Sequence, residues 1–195
     1  MSKNESIPIN LNSLSNTHYD KSSLKGPRGI IKSPRQIICG ETGIRIDRKG
    51  VWFHQGSPIE RIKLVQLFAS VLQRDDDGDY WLITPAEMAK IEVEDAPFLA
   101  VELIKTGNGR KQILSLRTNL DQIITVDESH PIRIDFNHIT GEPAPYVILD
   151  GSIEAKITRT TYYDLVSSSE EEYKGNQIFG VWSKETFFPI GPLKS

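Results

Sequence analysis

The sequence predicts an α+β fold of two repeated small β-rich lobes, each a curved, mostly antiparallel sheet with one helix. Three observations carry this. First, Asp47-Arg48-Lys49-Gly50 makes a turn between two apolar runs, and Asp150-Gly151 does so again about a hundred residues later. Second, each hairpin runs into an amphipathic helix, an acidic stretch and a Trp-bearing strand, with Trp81 in the first and Trp182 in the second. A repeated order of this kind is the signature of a duplicated unit. Third, strands outnumber helices and do not alternate with them, which argues against a doubly wound parallel sheet.

Residues 1–36 read as a flexible basic leader, because they are rich in Ser, Asn, Gly and Pro and lack apolar periodicity. Order begins near Ile37. The hairpin over 44–54 follows. Ser57-Pro58-Ile59-Glu60 then offers an N-cap, a proline at the first helical position and a Glu three residues after the cap. Ile62, Val65, Leu67, Phe68, Val71 and Leu72 recur at helical spacing and predict a helix with one buried stripe. Arg74 to Asp79 is a turn, and Tyr80 to Thr84 a short strand ended by Pro85.

Strands are expected over 91–94 and 98–104. Thr106-Gly107-Asn108-Gly109 is a hairpin signal into Gln112 to Arg117. Pro131 to Phe136 alternates as a half-buried strand. The second hairpin occupies 146–157, the second helix runs from about Thr158 through Val166, and Ser167 to Gln177 reads as an acidic loop or frayed helix end. Strands over 178–182 and 186–190 close the chain. The lobes are set at 37–100 and 101–195.

With 195 residues, 38% hydrophobic and 25% charged, the balance is that of an ordinary soluble protein. One cysteine, Cys39, precludes an intrachain disulfide and agrees with a cytoplasmic location. No apolar run reaches the roughly 18 residues of a membrane span, and Met1 to Asn16 lacks the apolar centre of a signal peptide. Residues 1–40 carry a net charge of +4 and the rest −7. The body is thus a poor polyanion binder, and a nucleic-acid partner is not expected.

Metal and cofactor motifs fail. Asp75-Asp76-Asp77-Gly78-Asp79 resembles a calcium loop, but neither register supplies both the turn glycine and the bidentate glutamate. A solvated turn fits better. No histidine pair has metal-binding spacing. No nucleophile elbow, phosphate loop or dinucleotide fingerprint occurs, so no cofactor is expected. What remains is polar. His54 follows Trp52 at the end of the first hairpin and is either a hydrogen-bonded structural histidine or a ligand contact. Glu92, Glu94 and Asp95 break two apolar strand segments. Arg117 alternates away from Leu114 and Leu116, and Asn119 follows it. Arginine and asparagine together suit a planar anion or a base edge. A salt bridge from Arg117 to Glu94 or Asp95 explains the same residues equally well.

Several motifs in order carry a resemblance. They are Gly-x-Trp-Phe-His-x-Gly-Ser-Pro-Ile over 50–59, Asp-Asp-Asp-Gly with Tyr-Trp-Leu over 75–82, Val-Glu-Asp-Ala-Pro-Phe over 93–98, Arg-Thr-Asn over 117–119, Pro145-Tyr146, and Gly-Val-Trp-Ser over 180–183. From about Cys39 to Leu193 the chain resembles the bacterial family called domain of unknown function 1285. The resemblance implies a duplicated two-lobe fold whose second lobe is pleckstrin-homology-like. It also implies a site at the lobe interface for a nucleotide-like molecule in signalling or stress response.

The function expected is a non-catalytic ligand-binding or sensory module holding a small polar ligand between the lobes. Arg117 would hold an anionic group and Asn119 a polar edge, Glu94 and Asp95 would orient Arg117, and Trp52 or Tyr146 would supply a stacking face, with His54 nearby. The alternatives are a hydrolase using the acids of Glu92 to Asp95, and a protein–protein adaptor in which Arg117 is structural.

Overall fold

The structure is a computed structural model that describes residues 25–40, 42–136, 140–173 and 177–192. The chain divides into two units between Glu94 and Asp95. This lies a few residues before the division expected at 100/101. The reason is local: Asp95 is bound to Tyr146 and Lys156, and Phe98 to Ala100 pair with Ala155 to Ile157, so these residues go with the second unit.

In the first unit the strands are β1 (Ile37–Cys39), β2 (Ile44–Ile46), β3 (Trp52–His54), β4 (Ser57–Pro58), β5 (Leu72–Arg74), β6 (Tyr80–Ile83) and β7 (Glu87–Val93), with helix α1 (Ile62–Ala69) between β4 and β5. They form one seven-stranded sheet in the order β4-β3-β2-β7-β6-β5, and β1 also pairs with β7. The β2–β3 hairpin turns through Asp47, whose Oδ1 accepts from the amides of Lys49 and Val51.

Two expectations for this region fail. Ser57 does not cap a helix. Gln55 and Gly56 both take positive φ, 50° and 80°, the signature of a type I′ turn. The chain therefore folds back as β4, pairing Ser57 with His54. The helix starts only at Ile62, after Arg61, with no side-chain cap. At its other end, Leu72 belongs to β5, not to the helical stripe, and pairs with Leu82. Val65 and Phe68 are the residues α1 buries. Phe68 stacks on Trp52, ring centroids 6.2 Å apart.

The described end of the leader is not loosely draped. Pro27 is buried. Arg28 pairs with Asp77 at 2.8 Å, and its carbonyl accepts from the Asp76 amide. Gln36, 8% exposed, donates from Nε2 to the Thr84 carbonyl at 2.6 Å. The segment bends at 28–30 and turns at 34–35, and it docks through these hydrogen bonds without the apolar periodicity that a helix or alternating strand would show. Residues 1–24 of the leader lie outside the described residues.

The second unit holds β8 (Phe98–Thr106), β9 (Ile113–Thr118), β10 (Ile123–Thr125), β11 (Ile132–Phe136), β12 (Pro143–Ile148) and β13 (Glu154–Ile157) in a sheet ordered β10-β9-β8-β13-β12-β11. Helix α2 (Arg159–Ser167) follows β13, capped by Thr158, whose side chain accepts from the Thr161 amide. Then β14 (Glu170–Tyr173), β15 (Gln177–Ser183) and β16 (Thr186–Pro192) make a separate three-stranded antiparallel sheet. The acidic stretch after α2 is thus a strand. Glu170 to Tyr173 pair with Gly180 to Gln177, and backbone pairing overrides the low strand propensity of glutamate. Along β9, Leu114 and Leu116 are fully buried while Ser115 and Arg117 face the other way. Among the described residues each unit is β-rich and carries one α-helix, of eight residues in the first and nine in the second.

Candidate functional site

Among the described residues a concavity lies in the first unit, where a strand is interrupted. Strands β1 and β2 both lie parallel to β7, one after the other along its length. The β1 register ends at Ala89 and the β2 register begins at Arg45 opposite Glu92, so Lys90 and Ile91 fall outside both. Between the strands the chain passes Gly40, Thr42 and Gly43. Gly43 has φ 66°, and a Cβ there would come within 3.2 Å of Gln55 Cγ, so glycine suits the position on both counts. Its carbonyl accepts from the Gln55 amide at 2.9 Å, which ties the β1–β2 connection to the tip of the β3–β4 hairpin.

Beside this break opens a cavity of about 770 Å³, within the range of small-molecule sites. Ile38, Cys39, Ile44 and Ile91 give it apolar lining, and Tyr80 and Trp81 aromatic lining. Its charged lining comes from Lys25, Arg45, Asp79, Lys90 and Glu92. Three of these are already matched. Lys90 pairs with Asp79. Arg45 pairs with Glu94, which does not line the cavity, and lies 4.5 Å over the Phe53 ring. Among the described residues Lys25 and Glu92 form no ion pair.

The aromatic wall is fixed from behind. Asp75 accepts from the Trp81 indole through Oδ2 at 2.9 Å and from the amides of Asp77 and Asp79 through Oδ1. Burial pushes its carboxyl up. The hydrogen bonds from Asp79, Trp81 and Asp77 outweigh that and hold it below the usual carboxylate range. The aspartate-rich turn thus spends its first carboxylate on its own backbone and on Trp81. No cluster suited to a metal ion occurs among the described residues.

The residues singled out from sequence fall in several places: none of the seven expected ligand contacts lines this cavity, whereas Glu92, named with the acids of the hydrolase alternative, does. Trp52 is 1% exposed and stacked on Phe68. It shares a face of β3 with His54, and the Trp52 Nε1 and His54 Nε2 atoms are both buried without a hydrogen-bond partner. Glu94 holds Arg45 and accepts weakly from the Arg48 amide at 3.4 Å. Asp95 accepts from the Tyr146 hydroxyl at 2.8 Å and pairs with Lys156. Burial, then the Asp95 carboxylate, pushes the Tyr146 phenol up. Arg117 pairs with Glu102 at 2.8 Å, with an alignment short of a hydrogen bond, and not with Glu94 or Asp95. Asn119 accepts from the Leu99 amide through Oδ1 at 3.0 Å and donates its own amide to the Leu99 carbonyl, so it splints β8 to β9.

Sequence reasoning missed Lys25, Arg45, Gln55 and Lys90 as a group. The Gly-x-x-Gly connection at Gly40 to Gly43 was the available signal. Only the parallel pairing of β1 and β2 with β7 gives it meaning.

Comparison with known proteins follows the two-unit division. Residues 33–96 match the N-terminal domain of unknown function DUF1285, and residues 97–190 match its C-terminal domain. The crystal structure of a DUF1285 family protein from Silicibacter pomeroyi DSS-3 is similar at 38% identity and a TM-score of 0.74, covering 87% of this chain and 90% of that one. A DUF1285 family protein from Shewanella baltica OS155 is similar at 28% identity and a TM-score of 0.52, covering 64% of this chain and 91% of that one. No curated protein matches. With both domains matched in order over most of its length, the chain belongs to the DUF1285 family.

Proposed function

We propose that this protein is a non-catalytic ligand-binding or sensory module, and that the cavity beside the β1–β2 break of the first unit takes a small polar ligand. The observation that supports this reading is the cavity itself. About 770 Å³ of space is bounded by apolar side chains, two aromatic residues and a rim of charges of both signs. A site with apolar walls and a few convergent polar groups is the usual form of a small-molecule pocket. The glycines at 40, 43 and 56 line it and allow a ligand to approach main chain closely. A cytoplasmic location and a part in signalling or stress response belong to this proposal, as does a pleckstrin-homology-like character for the second unit; a nucleotide-like molecule is the alternative occupant that the screen below tests.

The test is a thermal-shift screen with nucleotides and small metabolites, combined with thiol labelling of Cys39. Cys39 is the chain's one cysteine and lines the cavity; it is 2% exposed, so its labelling under native conditions reports local opening at the cavity, which an occupant suppresses. A ligand that binds the folded state at a hundred times its Kd stabilises by about 2.7 kcal/mol and should slow labelling of Cys39. A ligand that raises the melting temperature and leaves Cys39 labelling unchanged would place binding elsewhere and overturn the assignment of this cavity.

A further inference from the structure

We infer, resting on that reading of the first-unit cavity, that its occupant is a small zwitterion of the α-amino-acid class, with its carboxylate on Lys25 and its ammonium on Glu92. Five charged side chains line the cavity. Lys90 and Asp79 neutralise each other, and Arg45 is neutralised by Glu94. The two charges left over, Lys25 and Glu92, are of opposite sign and do not pair with one another among the described residues.

That remainder selects by charge pattern. An anion would meet Lys25 but bring its charge near Glu92, and a cation would meet the reverse conflict. A molecule carrying both charges satisfies both ends. Discrimination against the single-charge analogues then comes partly from the repulsive end, as specific sites commonly arrange it. The apolar lining of Ile38, Ile44 and Ile91 leaves room for a side chain.

The position of Lys25 makes the docked leader part of the site. Lys25 reaches the cavity because Arg28, three residues on, is fixed to the Asp75–Asp79 turn through Asp77 and through the main chain of Asp76. The same turn supplies Gly78 and Asp79 to the lining.

The experiment uses the full chain and three matched sets of probes: the twenty standard α-amino acids, the carboxylic acids lacking their α-amino group, and the amines lacking their carboxylate. Melting temperature and Cys39 labelling rate are read for each. At least one amino acid should raise the melting temperature and slow labelling, binding tenfold or more tightly than either of its single-charge analogues. Glu92→Gln should reduce that amino acid to the affinity of its acid analogue, and Lys25→Met to that of its amine analogue. Both side chains are exposed, so neither variant should disturb folding. Single-charge analogues that bind as well as the amino acid would overturn the zwitterion and leave the cavity reading standing. Failure of all three sets to protect Cys39 would overturn it too. The cavity reading falls separately, if the wider metabolite screen also fails to slow Cys39 labelling.

Discussion

The two units share an order of elements but differ in how their charges are matched. In both, a hairpin leads to a helix and then to a three-stranded antiparallel meander whose middle strand carries a tryptophan, β5-β6-β7 in the first and β14-β15-β16 in the second. In the first unit the last meander strand closes in parallel on the hairpin, and on β1 as well, leaving Lys90 and Ile91 outside either register. In the second unit the meander stands as its own sheet, and the hairpin strand β13 pairs in parallel with β8 instead. The outer face there is a matched network. Arg133 grips Glu154 with two hydrogen bonds of 2.8 and 3.0 Å, pairs with Asp135 and covers Tyr146, while Tyr146 and Lys156 both hold Asp95. Density of charge therefore does not mark a site in this chain. The proposed site rests instead on charge left over beside an interrupted strand.

The largest effect expected from breaking this contrast is at Asp75. Its carboxylate holds two backbone amides and the Trp81 indole. Asp75→Ala leaves a buried indole N–H without its acceptor and should cost about 3 kcal/mol, since hydrogen bonds to a charged group contribute about 1.5–3 kcal/mol each. Urea denaturation followed by tryptophan fluorescence measures it. A loss below about 1 kcal/mol would show that the turn does not depend on this cap. Millimolar calcium should leave the midpoint of the parent chain unchanged, because the loop lacks the glutamate such a site requires.

Next is a pair of neighbours on opposite sides of the division. Asp95→Ala removes the partner of both Tyr146 and Lys156, in a half-buried setting, and should cost about 2 kcal/mol. Glu94→Ala breaks a pair about one-third exposed on each side and should cost less than about 1 kcal/mol. Equal losses would mean that the matched network of the second unit contributes no more than an ordinary surface ion pair.

A smaller effect follows from the docked leader. A chain starting at Ile37 loses the Gln36 side-chain hydrogen bond to Thr84, the burial of Pro27 and the Arg28 contacts. Compared with a chain starting at Lys25, it should be less stable by about 1.5 kcal/mol, roughly one net hydrogen bond plus modest apolar burial. Indistinguishable melting midpoints would show that this segment only lies against the body.

How legible these features were in sequence follows the range of the interactions. The hairpins, both helices and the alternation around Leu114, Leu116 and Arg117 rest on contacts near in sequence, and period and turn chemistry display them. The Gln55-Gly56 turn was missed because Ser57-Pro58 is also a good helix entry, and a local pattern cannot choose between the two. Strand β14 was missed because Glu-Glu-Glu reads as loop, and only the β15 partner makes it a strand. The cavity was least legible. It depends on β1 and β2 pairing in parallel with a strand more than forty residues away, and on Lys25 meeting the Asp75–Asp79 turn. Asp95, Asn119 and Arg117 stood out from sequence as polar groups in apolar surroundings. That is how residues look whose partners, Tyr146, Leu99 and Glu102, are distant in the chain.

A last effect separates the units by pH. In the second unit Asp127 accepts from Lys184 at 3.0 Å and from the His130 amide and ring, and it caps the Ser129 amide. The Lys184 ammonium, against an opposing push from burial, holds its carboxyl down at about 2, with His130 and Ser129 helping. A carboxyl whose folded pKa lies below its ordinary 3.8 binds protons more readily when unfolded. Its stabilisation is therefore complete above about pH 5 and is lost as pH falls from about 4 towards 2. The gap is worth about 2 kcal/mol unscreened. At a side chain nearly a quarter open to solvent, about 1 kcal/mol is expected after screening. Urea midpoints from pH 6 down to pH 2 should therefore decline more steeply for the parent than for Asp127→Asn, with the two curves converging at the acid end. A parallel decline would show that Asp127 titrates alike in the folded and unfolded chains, and that the acid sensitivity of the protein is carried elsewhere, with Asp75 of the first unit the next carboxylate to replace.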